Sequence, residues 1–187
     1  MRELTVDLFS TVDGWLRGRD SPAYFGYDGP GLQSWIDEQS ARPQVMLMGA
    51  NTYRALAEHG GGDDPSSRRM AELPKVVFSR SLRQPLAWPN TSVVAEDVEV
   101  AVPAMKAAPG DPLRVIGSRS LVRSLFRLGL VDRLRLMVFP QVLGETGEER
   151  MLAGLPDLDL RLARTEVLDR RLVLLDYTLE RTPAPVG

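Results

Sequence analysis

Met48-Gly49-Ala50-Asn51-Thr52-Tyr53-Arg54 is the stretch on which the reading of this chain turns. The apolar run from Val45 to Met48 leads into a glycine, then small polar residues, then a short helix. A helix that begins where a strand ends presents free backbone N–H groups and the positive end of its dipole, which suits a phosphate. Gly49 lets the backbone approach a ligand, and Asn51 and Thr52 are able both to cap the helix and to hydrogen-bond an anion. Taken alone, the same residues describe an ordinary capped turn. Segments on either side separate the two readings.

Upstream, residues 3–10 form an expected strand rich in Leu, Val and Phe, and residues 11–30 a long loop rich in glycine and aromatic side chains. Residues 31–41 fit a short helix with Leu32, Trp35, Ile36 and Gln39 on one side and Asp37 and Glu38 toward the other. Residues 44–48 read as a buried strand and 51–57 as the helix after it. His59 then stands beside a glycine-rich loop, 60–65, and is expected to be solvated. Residues 76–79 and 91–94 are short strands. Residues 97–108 have helical content, but Pro103 predicts a kink or a late start.

Residues 113–116 are a strand running into Gly117. Across 118–128, Leu121, Val122, Leu125, Phe126 and Leu128 recur at helical spacing, and Gly129 supplies a C-cap. Residues 134–139 are a strand ending at Pro140. Residues 160–167 and 172–179 form a terminal antiparallel pair joined through Leu168-Asp169-Arg170-Arg171. Strands that alternate with helices and then follow one another predict an α/β fold: a mixed, mainly parallel twisted sheet flanked by helices, with antiparallel C-terminal strands. One domain spans 1–181, and 182–187 is a flexible tail with two prolines.

Composition narrows the chemistry. The chain has 187 residues, enough for one domain with a full core. A formal net charge of −2 without a basic stripe argues against nucleic acid as a partner. The absence of cysteine excludes disulfides, thiolate catalysis and cysteine metal sites, and a single histidine cannot build a histidine metal cluster. No apolar run is long enough to span a membrane, and the N-terminus reads as a strand and not as a signal peptide, so a cytoplasmic protein is expected.

Four segments carry the chemical argument. They are 10–16, after the first strand; 49–53; 73–80; and 115–121, which leads on to 129–136 and 140–144. Three sit where a strand gives way to a loop or helix, the edge at which open α/β sheets bind ligands. Gly49 and Gly117 each open a helix, so two phosphate cradles face one elongated cofactor. Ser79 and Arg80 add a hydroxyl and a guanidinium suited to a further phosphate. A pyrophosphate plus an additional phosphate describes NADPH.

In this order and spacing, Gly49-Ala50-Asn51-Thr52, Gly117-Ser118, Gly129-Leu130-Val131-Asp132, Pro140 and Leu143-Gly144 resemble the dihydrofolate reductase superfamily. The similarity is greatest to the C-terminal reductase domain of bifunctional riboflavin-biosynthesis (deaminase-reductase) proteins and its stand-alone relatives. The resemblance spans roughly residues 2–179. It implies an NADPH-dependent oxidoreductase that moves a hydride to a small pyrimidine- or pterin-like heterocycle, of the 5-amino-6-(5-phosphoribosylamino)uracil reductase type. It also implies a homodimer. By position, Gly49, Asn51 and Thr52 meet cofactor phosphates, Ser79 and Arg80 the adenosine end, and Ile116, Gly117, Ser118, Arg119 and Leu121 the pyrophosphate. Val12, Asp13 and Gly14 lie near the nicotinamide.

Phe25, Tyr27, Gln33 and Trp35 are the expected substrate contacts, with Tyr24 part of the same aromatic cluster. Asp13, Asp37, a tyrosine or bound water remain the candidate proton donors. Three departures stand out: Ala50 replaces an arginine, Ser118 replaces the second glycine of a pair, and Gln33 falls where dihydrofolate reductases carry their acid. Glutamine cannot relay a proton as an acid does, so dihydrofolate is not the expected substrate. The rival expectation is a weakly active or inactive nucleotide-binding module of the same fold. No zinc motif of the deaminase half is present, because that needs cysteines.

Overall fold

The computed structural model describes residues 1–59 and 65–179. The expected 60–65 loop (all but Pro65), the tail and the side chain of His59 lie outside the described part. In chain order the elements are β1 (Leu4–Thr11), β2 (Trp15–Gly18), α1 (Pro30–Ala41), β3 (Val45–Gly49), α2 (Ala50–His59), α3 (Pro65–Glu72), β4 (Lys75–Phe78) and β5 (Thr91–Val94). They continue with α4 (Val98–Ala107), β6 (Leu113–Ile116), α5 (Arg119–Arg127), β7 (Arg133–Phe139), β8 (Gly147–Arg150), β9 (Leu160–Leu168) and β10 (Leu172–Leu179). Eight strands form one sheet in the order β5-β4-β3-β6-β1-β7-β10-β9. The pairings from β5 to β7 are parallel, and β10 runs antiparallel to both β7 and β9. This is the expected architecture.

Chain direction decides which helices share a face. From β1 through α1 to β3, and from β3 through α2 and α3 to β4, the chain moves toward one edge of the sheet. From β5 through α4 to β6, and from β6 through α5 to β7, it moves toward the other. Right-handed crossovers in opposite directions put the two helix sets on opposite faces. The cores agree: Val102, Leu121, Val122, Leu125 and Phe126 of α4 and α5 pack on Leu4, Val6 and Leu8. Leu32 and Trp35 of α1 pack on Met137, Phe139, Leu172 and Leu174 from the other side.

Local signals explain most boundaries. Gly129, with φ 61°, closes α5: Leu130 N–H donates to Leu125 C=O and Gly129 N–H to Phe126 C=O, a Schellman pattern. Pro103 neither delays nor ends α4, which starts at Val98 and runs on to Ala107. The carbonyl the proline leaves without a helix donor belongs to Glu99, an exposed residue in the first turn. Three residues, 169–171, join β9 to β10; Asp169 and Arg170 both have positive φ, and Arg171 N–H closes the turn on Leu168 C=O at 2.9 Å. Asp169 then reaches across the fold, its carboxylate accepting the N–H groups of Gly31 (2.7 Å) and Leu32 (3.1 Å) at the start of α1. Lys75 is buried in β4 and its Nζ donates to the carbonyls of Met70, Ala71 and Leu73, capping α3. Burial pulls its pKa down to about 8.

Charge also lies inside the sheet layer. Asp7 on β1 is 1% exposed and accepts Arg114 Nε at 2.5 Å and Arg135 Nε and Nη2 at 2.6 and 2.8 Å. Arg135 further donates to Gln39 of α1 and Arg114 to Gln44, while both guanidiniums lie over the Trp35 ring. This network ties α1 to β1, β6 and β7.

Candidate functional site

β3 and β6 are neighbours whose outgoing chains leave toward opposite edges of the sheet. Such a switch point opens a crevice beyond the strand ends. Gly49 ends β3 and Gly117-Ser118 follows β6, with α2 and α5 starting there on opposite faces. The strand ends nearly touch: a Cβ on Gly49 would sit 2.3 Å from Ser118 Oγ. The missing side chain at Gly49 therefore makes room for Ser118, a reason within the protein that the sequence does not reveal. Gly117 has φ 66° and Ser118 φ 63°, so this turn is left-handed at two successive residues, one of them not glycine.

A groove of about 830 Å³ lies along this crevice, lined by Gly49, Asn51, Thr52, Phe78, Ser118, Arg119, Ser120, Arg17, Arg123 and Glu149 among others. A cavity of about 290 Å³ continues from it under β2, sharing Arg17, Ser118, Arg119, Arg123 and Glu149. Its walls are apolar: Leu8, Leu16, Val122, Met151 and Leu155. The roof is the antiparallel ribbon of β2 and β8, where Trp15 packs against Gly147 and under the Arg150 guanidinium, 3.9 Å away. A second cleft, about 190 Å³, lies at the opposite end of the strands. There Arg133 is matched by Asp176 and Arg164 by Glu166, and no helix begins.

Gly49, Asn51, Thr52, Gly117, Ser118 and Arg119 are thus brought together around the groove and the cavity beside it. Other expected residues are placed differently. Leu121 is buried in the α5 core, and Ile116 packs with Met46 and Val77. Ser79 Oγ accepts the N–H groups of Ser81 (3.2 Å) and Leu82 (3.0 Å), and Arg80, largely exposed, pairs with Asp97. Both follow Phe78, which lines the groove, but neither lines it.

The loop after β1 is a clamp. Asp13 accepts Thr11 Oγ1–H at 2.6 Å and the N–H groups of Leu143 and Gly144 at 3.1 and 2.8 Å. The Thr11 hydroxyl, with help from these backbone donors, lowers its pKa from 3.8 to about 2. Asp13 is therefore an ionised acceptor that positions the loop before β8, and the expectation of a proton donor there is corrected. Val12 projects into solvent, 63% exposed, and Gly14 has the positive φ of the turn. Asp37 lies on α1 and pairs with Arg69 of α3 at 2.6 Å, away from the groove, so its expected acid role is corrected too.

The expected aromatic wall is also rearranged. Phe25 and Trp35 are core residues, Gln33 is exposed and donates to Asp37, and the Tyr27 hydroxyl is bonded to Asp169. Tyr24 instead sits edge-on to Phe9 at 5.4 Å and stacks with Phe139 at the end of the sheet. Tyr24 and Phe25 both have positive φ, which turns one ring toward the surface and the other inward. Sequence reasoning missed β2, β8, Arg17 and Glu149. Asp13-Gly14 was a turn signal for the ribbon, but Gly147-Glu148-Glu149-Arg150 has no strand propensity to answer it.

The fold is an α/β sheet with a polar, cationic groove at its switch point, the place at which open α/β sheets bind ligands. The family is specific: the model of the RibD C-terminal domain matches residues 2–174, and the chain belongs to that family. An uncharacterised protein of Bacillus subtilis, YyaP, is 24% identical over 94% of both chains. Among solved structures, a putative riboflavin biosynthesis protein from Shewanella is 18% identical with a TM-score of 0.71, covering 97% of this chain and 100% of its own. A pyrimidine reductase-like protein from Corynebacterium diphtheriae is 15% identical with a TM-score of 0.70, over 97% and 93%. These structures share the riboflavin-biosynthesis reductase-like fold. Among the described residues no helix is long and apolar enough to cross a membrane, and no cluster of His, Cys, Asp or Glu could hold a metal.

Proposed function

We propose that the protein is an NADPH-dependent reductase that transfers a hydride to a small pyrimidine- or pterin-like heterocycle. One observation carries the reading: two helix N-termini, on opposite faces of the sheet, open into a single groove that also holds Arg17, Arg119 and Arg123. The groove fits a dinucleotide chemically. First-turn N–H groups of α2 and α5 and the Arg119 guanidinium would hold the pyrophosphate, with Asn51 and Thr52 beside them. No side chain projects from Gly117 to block the approach, since a Cβ there would meet only Thr52, at 3.4 Å. When bound, NADPH supplies the hydride.

The chain's own work is positioning. The apolar cavity under the ribbon takes a flat ring and excludes water around it. Asp13 fixes the floor of the ribbon through Leu143 and Gly144. Asp13 stays ionised and Asp37 lies elsewhere, so neither expected aspartate supplies the proton that completes the reduction, and water at the open groove is its source in this reading. The loss of both expected acids favours one alternative, a binding module of the same fold with little or no turnover.

Fluorescence titration with NADPH and NADH, followed by turnover assays on pyrimidine and pterin acceptors, distinguishes these readings. NADPH is expected to bind more tightly, through Arg80, which lies two residues beyond the groove-lining Phe78 and would leave Asp97 to reach the additional phosphate. Arg80→Ala should lower NADPH affinity about tenfold, the value of one exposed charge-assisted contact, and leave NADH unchanged. Equal affinity of the native protein for both cofactors would remove Arg80 from the site. No binding of either would refute the proposal.

A further inference from the structure

The groove contains a carboxylate among its cations. Glu149 Oε1 lies 3.5 Å from Arg119 Nη2, at the first position of α5, and 3.6 Å from Arg17 Nη2 on β2. All three side chains line both the groove and the inner cavity. Glu149 is held there with φ 59°, a left-handed conformation uncommon for a long side chain. Arg17 has a second carboxylate, Glu148, at 3.2 Å, but Glu148 does not line the groove.

The geometry points to Glu149 as an internal counter-ion: it occupies Arg17 and Arg119 in the free protein and yields both to the diphosphate of a bound nucleotide. This rests on the nucleotide reading of the groove and adds a built-in competitor to it. The ion pairs are longer than the roughly 2.7–2.9 Å of strong charge-assisted bonds, so little is lost when they open. A diphosphate offers more acceptor oxygens and lies against the helix terminus, which favours it over one carboxylate. A carboxylate that remained would stand beside the diphosphate as a like charge. Exchange therefore displaces Glu149, and with it β8 and the ribbon roof, from the mouth of the cavity. Trp15 senses that movement, because its ring abuts Gly147 and carries the Arg150 guanidinium.

The test is calorimetric titration of the whole chain with NADPH and, separately, inorganic pyrophosphate at fixed ionic strength. Wild type is compared with Glu149→Gln and with Glu149→Gly, which suits the positive φ; melting curves establish that each variant is folded. Both variants should bind both probes about tenfold more tightly. Arg17→Ala and Arg119→Ala should weaken binding, and Glu149→Gln should help less in either background. Tryptophan emission should change on titration of wild type and not of Trp15→Phe. NADPH binding that is equal in wild type and both Glu149 variants would overturn the inference. If pyrophosphate binds with the predicted Glu149 dependence but NADPH does not bind, the counter-ion stands and the cofactor assignment falls. If no variant binds either probe, both fall.

Discussion

Replacing Asp7 with Asn is the sharpest probe of how the sheet carries its helices. The carboxylate is 1% exposed and takes three hydrogen bonds, at 2.5, 2.6 and 2.8 Å, from two guanidiniums whose side chains are only 10% and 11% exposed. Asparagine keeps the shape, removes the charge and turns an N–H₂ group toward donors. Two buried cations then lose their counter-ion, for which about 3–5 kcal/mol is the usual cost. In a chain of this size each kcal/mol shifts the melting temperature by roughly 2–4 °C, so a fall of roughly 6–20 °C is expected. Differential scanning calorimetry with near-UV circular dichroism measures it directly.

Two comparisons sharpen that result. Asp176→Asn removes a bidentate partner of Arg133, whose side chain is 32% exposed, so water takes over part of the solvation and the loss should be smaller. The triple variant Asp7→Leu, Arg114→Met, Arg135→Leu removes all three charges and should recover much of the single variant's loss, because the penalty comes from stranded charge. An Asp7→Asn protein that melts within about 2 °C of wild type would refute the reasoning and mean that water or glutamine oxygens alone sustain the two arginines.

Three further outcomes are expected. Gly49→Ala should destabilise by about 1–3 kcal/mol through the contact with Ser118 Oγ, and Ser118→Gly should rescue it; additive losses in a denaturation double-mutant cycle would contradict the contact. The Asp13 pKa is depressed, so its contribution is complete above pH 3.8 and is lost as pH falls through about 2. Amide exchange at Leu143 and Gly144 should accelerate across that window in wild type but not in Asp13→Asn, and unchanged protection at pH 2 would count against the clamp. Finally, β9 is an edge strand with Leu162 52% and Val167 64% exposed, so a homodimer through this strand is proposed. Light scattering that reports a monomer across a dilution series would rule that assembly out.

What was legible in the sequence is what local chemistry dictates. Gly117 and Gly129 sit where the backbone turns left-handed, and Leu121, Val122, Leu125 and Phe126 face the core at helical spacing, so strand-end turns and α5 were readable. The switch point followed from the order of elements. What stayed hidden depends on residues distant in the chain. The capping of α1 by Asp169, the Asp7 network and the Lys75 cap of α3 use charged side chains whose partners only the folded topology supplies. Asp13 looked like an acid because its partners Leu143 and Gly144 are backbone groups, which sequence cannot single out. Phe25 and Trp35 looked like a ligand wall because aromatic residues serve cores and sites alike.

The central position of β1 has a consequence for synthesis. It precedes the other strands of its sheet in the chain, yet Leu4 pairs with Leu113 and Thr11 with Phe139, so neither neighbour exists until long after β1 has been made. The β3-β4-β5 portion can close from nearer contacts, while the apolar first strand waits unpaired. The groove waits too, because its walls come from the segments around Arg17, Gly49, Ser118 and Glu149. Nascent chains stalled before β7 emerges should therefore be protease-sensitive and dependent on chaperones, and binding competence should arrive late and in a single step.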